Sequence, residues 1–243
     1  MYGWRGRIGL MVPTGNSCME PEFNRLAPEG VSVHANRVYL KDVTPDSLID
    51  MTDEAKTSAQ GLVGIRVDCL AFGCTSGSFV GGPGHDKKLI AIIEDATGVA
   101  ATTTTTAVIR AFAILGVSRV ALVTPYIDAV NEIEIDFLRQ SGIEVTGCRG
   151  GGLTETADIQ ALPPEVSYRR AREADSAAAE AVFISCTGFR TIENLAALEA
   201  DLGKPVISSN QATFADCLRL MGVRDVRPGF GGLFDKTFAA STP

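Results

Sequence analysis

The chain repeats itself, and the repeat limits the fold more than any other feature. The segment "RIGLMVPTGNSCMEPEF" and the later "RVALVTPYIDAVNEIEI" share an apolar run, a proline and an acid-bearing helix start. A second pair, "DCLAFGCTSGSF" and "EAVFISCTGFRT", shares an apolar run that ends in Cys-Thr. Pro13 and Pro125 lie 112 residues apart, and so do Cys74 and Cys186. "GVAATTTTTA" and "GKPVISSNQA" recur at an offset of 105, which a seven-residue deletion explains, and each leads into a helix pattern ending "LGV" or "MGV". A period this long means two similar units rather than a solenoid. We expect an N-terminal half at residues 1–112 and a C-terminal half at 113–243, related by a pseudo-twofold axis. No Pro/Gly/Ser-rich linker separates them, so they should pack closely.

Within each unit, apolar runs of strand length alternate with helical patterns. "RIGLMV", "VDCLAF", "RVALVT", "AVFISC" and "KPVISS" are continuous rather than alternating, as in strands buried on both faces. Intervening helices imply parallel crossovers, and the class is α/β with two parallel-sheet halves. "TPDSLIDMTDEAKTSAQGLVG" reads as one helix starting at Thr-Pro-Asp. "GHDKKLIAIIEDATG", "TTAVIRAFAILG", "YIDAVNEIEIDFLRQSG", "VSYRRAREADSAAAE" and "NLAALEADLG" are the other helix patterns. The run Thr102 to Thr106 reads as a β-branched strand end entering a helix cap.

With 45% apolar and 21% charged residues, the chain has a soluble globular composition. A formal charge of −7 offers a polyanion nothing, so no nucleic-acid partner is expected. Pro13 cuts the first apolar run short of a signal-peptide core, and no segment approaches the roughly 18 apolar residues of a membrane span. A cytoplasmic protein without a membrane partner is expected. Six scattered cysteines form no CxxC pair, and His34 and His85 lack metal-ligand spacing to any of them. We expect free thiols, no metal and no cofactor, with Cys69 and Cys217 as core residues.

Open parallel sheets carry their functional loops at the carboxyl ends of the strands, where Pro13, Cys74, Pro125 and Cys186 all fall. If the halves face each other there, the two cysteines share one cleft. Gly, Thr and Ser around each cysteine permit a sharp turn with N–H groups and hydroxyls aimed at an anion. Such a turn should lower the thiol pKa toward thiolate. Two opposed thiols suit a reaction in which one attacks or deprotonates a carbon and the other delivers a proton. A small carboxylic acid, activated by donors on its carboxylate, is the natural substrate. Asn16 fits either a helix cap or a ligand contact, and Tyr126, the repeat mate of Thr14, can bring its hydroxyl to the cleft.

At these residues the chain resembles the aspartate/glutamate racemase superfamily, and within it the maleate cis-trans isomerase and arylmalonate decarboxylase branch. The pieces that carry the likeness are "GLMVPTGNSCMEPEF", "FGCTSGSF", "TPYIDAVNEIEIDFL", "SCTG" and "SSNQATFADCLRLMGV". The resemblance implies two α/β subdomains with the active site between them. It implies Cys74 as nucleophile or base and Cys186 as proton donor. Asn16 and Tyr126 would bind substrate carboxylates, with Thr75, Ser76, Thr187 and Gly188 supplying further donors. The decarboxylases differ in having glycine at the first cysteine position. In the isomerases the first cysteine adds to an olefinic carbon, giving a succinyl thioether whose central bond rotates before fumarate leaves. Those isomerases carry a substrate-binding Asn where this chain has Thr156, which keeps one donor but loses the amide's paired geometry and leaves room for a different or bulkier acid. Maleate isomerisation leads, with an amino-acid racemase, an arylmalonate-type decarboxylase or a non-enzymatic carboxylate-binding protein as alternatives. A homo-oligomer is left open.

Overall fold

The computed structural model describes residues 2–238. Its first sheet contains β1 (Gly6–Pro13), β2 (Val31–Val38), β3 (Cys69–Phe72) and β4 (Ala101–Thr103), in the order β2-β1-β3-β4. The second contains β5 (Arg119–Val123), β6 (Glu144–Arg149), β7 (Ala181–Ile184) and β8 (Val206–Ser208), in the order β6-β5-β7-β8. All pairings are parallel, and the two orders are the same order, so the sequence repeat is a repeat of topology. The five apolar runs are β1, β3, β5, β7 and β8, and from β1 to β7 the central strands are buried nearly end to end. The sequence reading did not anticipate the edge strands β2 and β6. They are half-exposed along most of their length, and their sequences, "VSVHANRV" and "EVTGCR", mix polar and apolar residues.

Helices make the crossovers. In the first half these are α1 (Met19–Leu26), α2 (Pro45–Asp53), α3 (Ala55–Val63), α4 (Thr75–Phe79) and α5 (His85–Thr97), followed by α6 (Thr104–Leu115). In the second half α7 (Asp128–Gln140), α8 (Thr156–Gln160), α9 (Pro164–Ala174) and α10 (Leu195–Leu202) precede α11 (Ser209–Leu220) and α12 (Leu233–Phe238). The single helix expected at "TPDSLIDMTDEAKTSAQGLVG" is two, divided at Glu54, whose carboxylate accepts the Tyr39 N–H at 3.1 Å. The helix expected through Glu180 stops at Ala174, where Asp175 turns extended and pairs with Lys204 at 2.8 Å. The threonine run behaves as expected. β4 ends in Thr103, whose side chain caps α6 by accepting the Thr106 N–H at 3.2 Å. Ser208 does the same for α11 with the Gln211 N–H, again at 3.2 Å.

Those two capped helices lock the halves together. α6 follows the first sheet, yet its Phe112 packs edge-on against Phe183 of β7, ring centroids 5.5 Å apart. α11 follows the second sheet, yet its Phe214 meets Phe23 of α1 at 5.1 Å. Each such ring pair contributes roughly 0.5–1.5 kcal/mol beyond the area it buries. Thr102 of β4 donates to Asp216 of α11 at 2.7 Å, and Arg110 of α6 pairs with the same carboxylate. The division expected at 112/113 falls inside α6.

The strand order fixes where a ligand can enter. From β1 the chain goes outward to β2 and then returns to β3 on the other side, so the loops after β1 and β3 part at their carboxyl ends. The loops after β5 and β7 part in the same way. Open α/β sheets bind ligands at such a switch point.

Candidate active site

A cavity of about 330 Å³ lies where the two switch points meet, lined from the first half by Pro13, Asn16, Leu40, Val43, Cys74 and Ser76. The second half contributes Tyr126, Thr156, Ile159, Gln160 and the Cys186–Gly188 turn. Of the residues expected at the site, Asn16, Cys74, Ser76, Tyr126, Thr156, Cys186, Thr187 and Gly188 meet here, while Thr75 is buried and does not line the cavity.

Cys74 is the N-cap of α4, with extended backbone (φ −141°, ψ 115°), and its sulfur accepts the Gly77 N–H at 3.3 Å. Ser76 Oγ lies 3.7 Å from the same sulfur. A Cβ at Gly77 would come within 2.4 Å of the flexible Met51 tip and 3.2 Å of the Cys74 sulfur, so glycine keeps the space beside the thiol uncrowded. Cys186 is built differently. Its φ is +102°, a region non-glycine residues avoid and which costs about 1–3 kcal/mol when held by its surroundings. The Gly188 N–H reaches its sulfur at 3.3 Å, and the buried Tyr126 hydroxyl hydrogen-bonds the thiol.

Hydroxyls tie one turn to the other. Thr75 Oγ1 donates to Ser209 Oγ at 2.9 Å, and Ser209 Oγ accepts the Cys186 N–H at 3.1 Å. Thr187 Oγ1 donates to the Gly73 carbonyl at 3.1 Å and accepts from Asn16 Nδ2 at 2.9 Å. The Thr75 and Thr187 hydroxyls are therefore committed to the scaffold. Asn16 takes both roles foreseen for it: its Oδ1 accepts the Cys18 and Met19 N–H groups at the start of α1, while the residue lines the cavity. One amide proton of Asn16 goes to Thr187, which leaves the other.

The expected lowering of the thiol pKa values is overturned. Burial pushes Cys74 up against the opposing hydrogen bonds from Gly77 and Ser76. Burial pushes Cys186 up to about 12, against bonds from Tyr126, Gly188 and Phe189, and the neighbouring Cys74 adds to the rise. A few dipoles at one sulfur do not offset removal from water. Both thiols hold their protons at neutral pH, and because ionising one raises the other, the pair ionises one at a time.

Leu40, Val43, Ile159, Gln160 and Ser209 were not anticipated at the site. Leu40 and Val43 follow β2, itself unforeseen, and make the cavity's apolar wall with Ile159. Ser209 alone left a signal, at the start of the helix that repeats α6.

Comparison with known proteins agrees with this geometry. The family model for arylmalonate decarboxylase matches residues 8–234. The arylmalonate decarboxylase of Bordetella bronchiseptica is 33% identical over 233 residues, covering 95% of this chain and 97% of that protein. The chain belongs to the arylmalonate decarboxylase family. A maleate isomerase from Pseudomonas putida S16, solved with maleate as a cysteine-to-alanine variant, has a TM-score of 0.89 at 27% identity, covering 95% of this chain and 98% of its own. An arylmalonate decarboxylase variant with a glycine-to-cysteine and a cysteine-to-serine change also reaches 0.89, at 32% identity, covering 95% of this chain and 99% of its own.

Membership in the arylmalonate decarboxylase family bears out the expected superfamily branch and its α/β fold. The chain is an enzyme of this family, and maleate isomerases among its relatives support an isomerase. Within the family, the decarboxylase variant received by substitution a cysteine that its parent lacks. Here both turns carry cysteine in the chain's own sequence. No helix among the described residues is long and apolar enough to cross a membrane.

Proposed function

We propose that the chain is a cofactor-independent cis-trans isomerase of a small dicarboxylic acid, with maleate as substrate and fumarate as product. The observation that carries this reading is a pair of thiols, one from each repeat, lining one cavity. Uncharged donors hold the acid: the free Asn16 amide proton, the Ser76 and Thr156 hydroxyls, and N–H groups of the two cysteine turns. On binding, the Tyr126 hydroxyl passes its proton from the Cys186 sulfur to the carboxylate beside it. Cys74, as thiolate, adds to one olefinic carbon. The displaced electron pair takes the Cys186 proton at the other carbon, which leaves a single bond free to rotate. Cys186 then recovers a proton from that carbon while the C–S bond breaks, releasing the trans acid and the Cys74 thiolate. The stepwise ionisation of the two thiols supports one base and one acid rather than two bases.

One observation favours a second reading. The wall of Leu40, Val43 and Ile159, with Thr156 beside it, accepts an apolar substituent. That suits racemisation of an α-substituted acid, with one thiolate removing the α-proton and the opposite thiol returning one. Proton NMR in deuterated buffer separates the two. Fumarate formed from maleate only with both cysteines supports the isomerase, and deuterium entering the α position of 2-phenylpropionate, aspartate or glutamate supports the racemase. An aryl malonate tests for decarboxylation. Turnover of maleate surviving Cys74→Ala would sink the thiol mechanism.

A further inference from the structure

We propose that Gln160 binds substrate: its side-chain amide donates to a carboxylate oxygen of the acid held between Cys74 and Cys186. This rests on the reading of the cavity as a site for a small acid. Gln160 is the last residue of α8, and its Oε1 accepts from both the Ser17 N–H and the Ser17 hydroxyl, each at 2.9 Å. A backbone N–H can only donate, so the oxygen of the amide must face Ser17, and the amide orientation is thereby settled. Nε2 then lies on the opposite side. It is buried without a hydrogen-bond partner, and a Cβ placed on Gly188 would come within 2.9 Å of it.

A buried amide nitrogen with two unpaired N–H groups is an uncommon and costly arrangement, and here it borders the cavity beside the Cys186 turn. Thr156, one helical turn earlier on α8, also lines the cavity and has a buried hydroxyl without a partner. Positions i and i+4 share a helix face, so the two unpaired groups flank one place. Among the described residues no lysine or arginine lines the cavity. An anion placed there must be held by neutral donors, and a carboxylate, with two oxygens, can take both. Glycine at 188 leaves the approach open. Ser17 is a positioning residue: it holds the amide so that nitrogen rather than oxygen meets the ligand.

The test uses purified full-length protein with Cys74→Ala, which stops turnover, titrated calorimetrically with maleate and with 2-phenylpropionate. Adding Gln160→Met, which keeps length but removes both donors, should weaken binding about 10- to 100-fold, the scale of a lost hydrogen bond to a charged group. Gln160→Glu keeps the acceptor for Ser17 and should bind weakly at pH 8, recovering as the pH falls. In otherwise wild-type protein, Gln160→Met should raise KM more than it lowers kcat. Unchanged affinity in folded Gln160→Met overturns the proposal. If that variant does not fold, pH-independent affinity in Gln160→Glu overturns it. If the folded Cys74→Ala protein binds neither acid, the acid-site reading itself falls, and this inference with it.

Discussion

Cys74 and Cys186 occupy the same place in two copies of one topology, yet the protein holds them in opposite ways. Cys74 has relaxed extended backbone and caps a helix, so its sulfur is part of a standard local motif. Cys186 sits at φ +102° with no helix starting behind it, and its thiol is bound by Tyr126 from the loop after β5. The repeat mate of Tyr126 is Thr14, which spends its hydroxyl on the Leu40 carbonyl at 3.3 Å and the Leu40 N–H at 3.2 Å. Duplication supplied two equivalent turns, and the surroundings made them unequal. A reaction that adds a proton on one side and a nucleophile on the other needs that inequality.

The largest effects should come from removing either sulfur. Cys74→Ala and Cys186→Ala should each lower kcat on maleate by at least about 1,000-fold, since the two act as one unit. Their comparison sharpens the assignment. With Cys186→Ser, intact-protein mass spectrometry should find the acid attached at Cys74. With Cys74→Ser, no adduct should form. Adduct at Cys186 instead would reverse the two roles.

Tyr126→Phe removes the hydroxyl bound to the Cys186 thiol and leaves the ring packed. A loss of about 10- to 100-fold in kcat is expected, the range of a displaced acid–base partner. The rate of the wild-type enzyme should rise with pH above neutrality, because burial keeps Cys74 protonated there. It should fall again at strongly alkaline pH as Cys186 loses its proton near about 12. A flat profile from pH 6 to 10 in kcat/KM would break this assignment.

How much of this was legible in the residues follows the same division between local and distant causes. β1, β3, β5 and β7 were readable because a strand buried on both faces must be apolar at every position. β2 and β6 were not, because an edge strand is wet on one side and tolerates His34, Asn36 or Arg37 within it. The helix patterns of α6 and α11 were visible, but not that Phe112 and Phe214 pack across to the opposite half. An apolar face states that something covers it and not what. The cysteines were found through the repeat. Gln160 was not, because a glutamine at the end of a short polar helix acquires meaning only from Ser17, 143 residues away. The thiol pKa values were misread for a related reason: turn composition shows the donors, while the burial that outweighs them comes from both halves together.

A second mated pair tests the inequality of the halves through stability. Glu22 and Glu134 are repeat mates 112 residues apart, both buried. Burial pushes the Glu22 carboxyl up, and the Thr191 N–H at 2.9 Å, an Asn210 amide proton at 2.7 Å and the Ile192 N–H at 3.4 Å oppose the rise. Among the described residues Glu134 has only the Ser185 hydroxyl at 2.6 Å, and burial pushes its carboxyl up to about 8. Between the ordinary value of 4.5 and about 8, the unfolded chain has released this proton and the folded chain has kept it. The unfolded state then binds fewer protons, so the contribution is complete below about pH 4.5 and is lost as the pH rises to about 8. Glu134→Gln should flatten the decline of Tm over that window and raise Tm at pH 8 by several degrees. An equal effect from Glu22→Gln would remove the distinction between the mates.

The smallest expected effect concerns the strained backbone. At φ +102° alanine keeps the steric conflict of cysteine, whereas glycine has no Cβ to oppose the conformation. Both substitutions remove the sulfur and its bonds to Tyr126 and Gly188, so the difference between them isolates the strain. Cys186→Gly should therefore be more stable than Cys186→Ala by about 1 kcal/mol in urea unfolding. At position 74, where φ is −141°, the order should reverse, because glycine there adds only unfolded-state entropy. Opposite signs at two positions of one repeat would locate the strain in the second turn alone. Equal signs would mean that the backbone of Cys186 relaxes once its thiol is gone, and that the thiol's own bonds hold the turn in place.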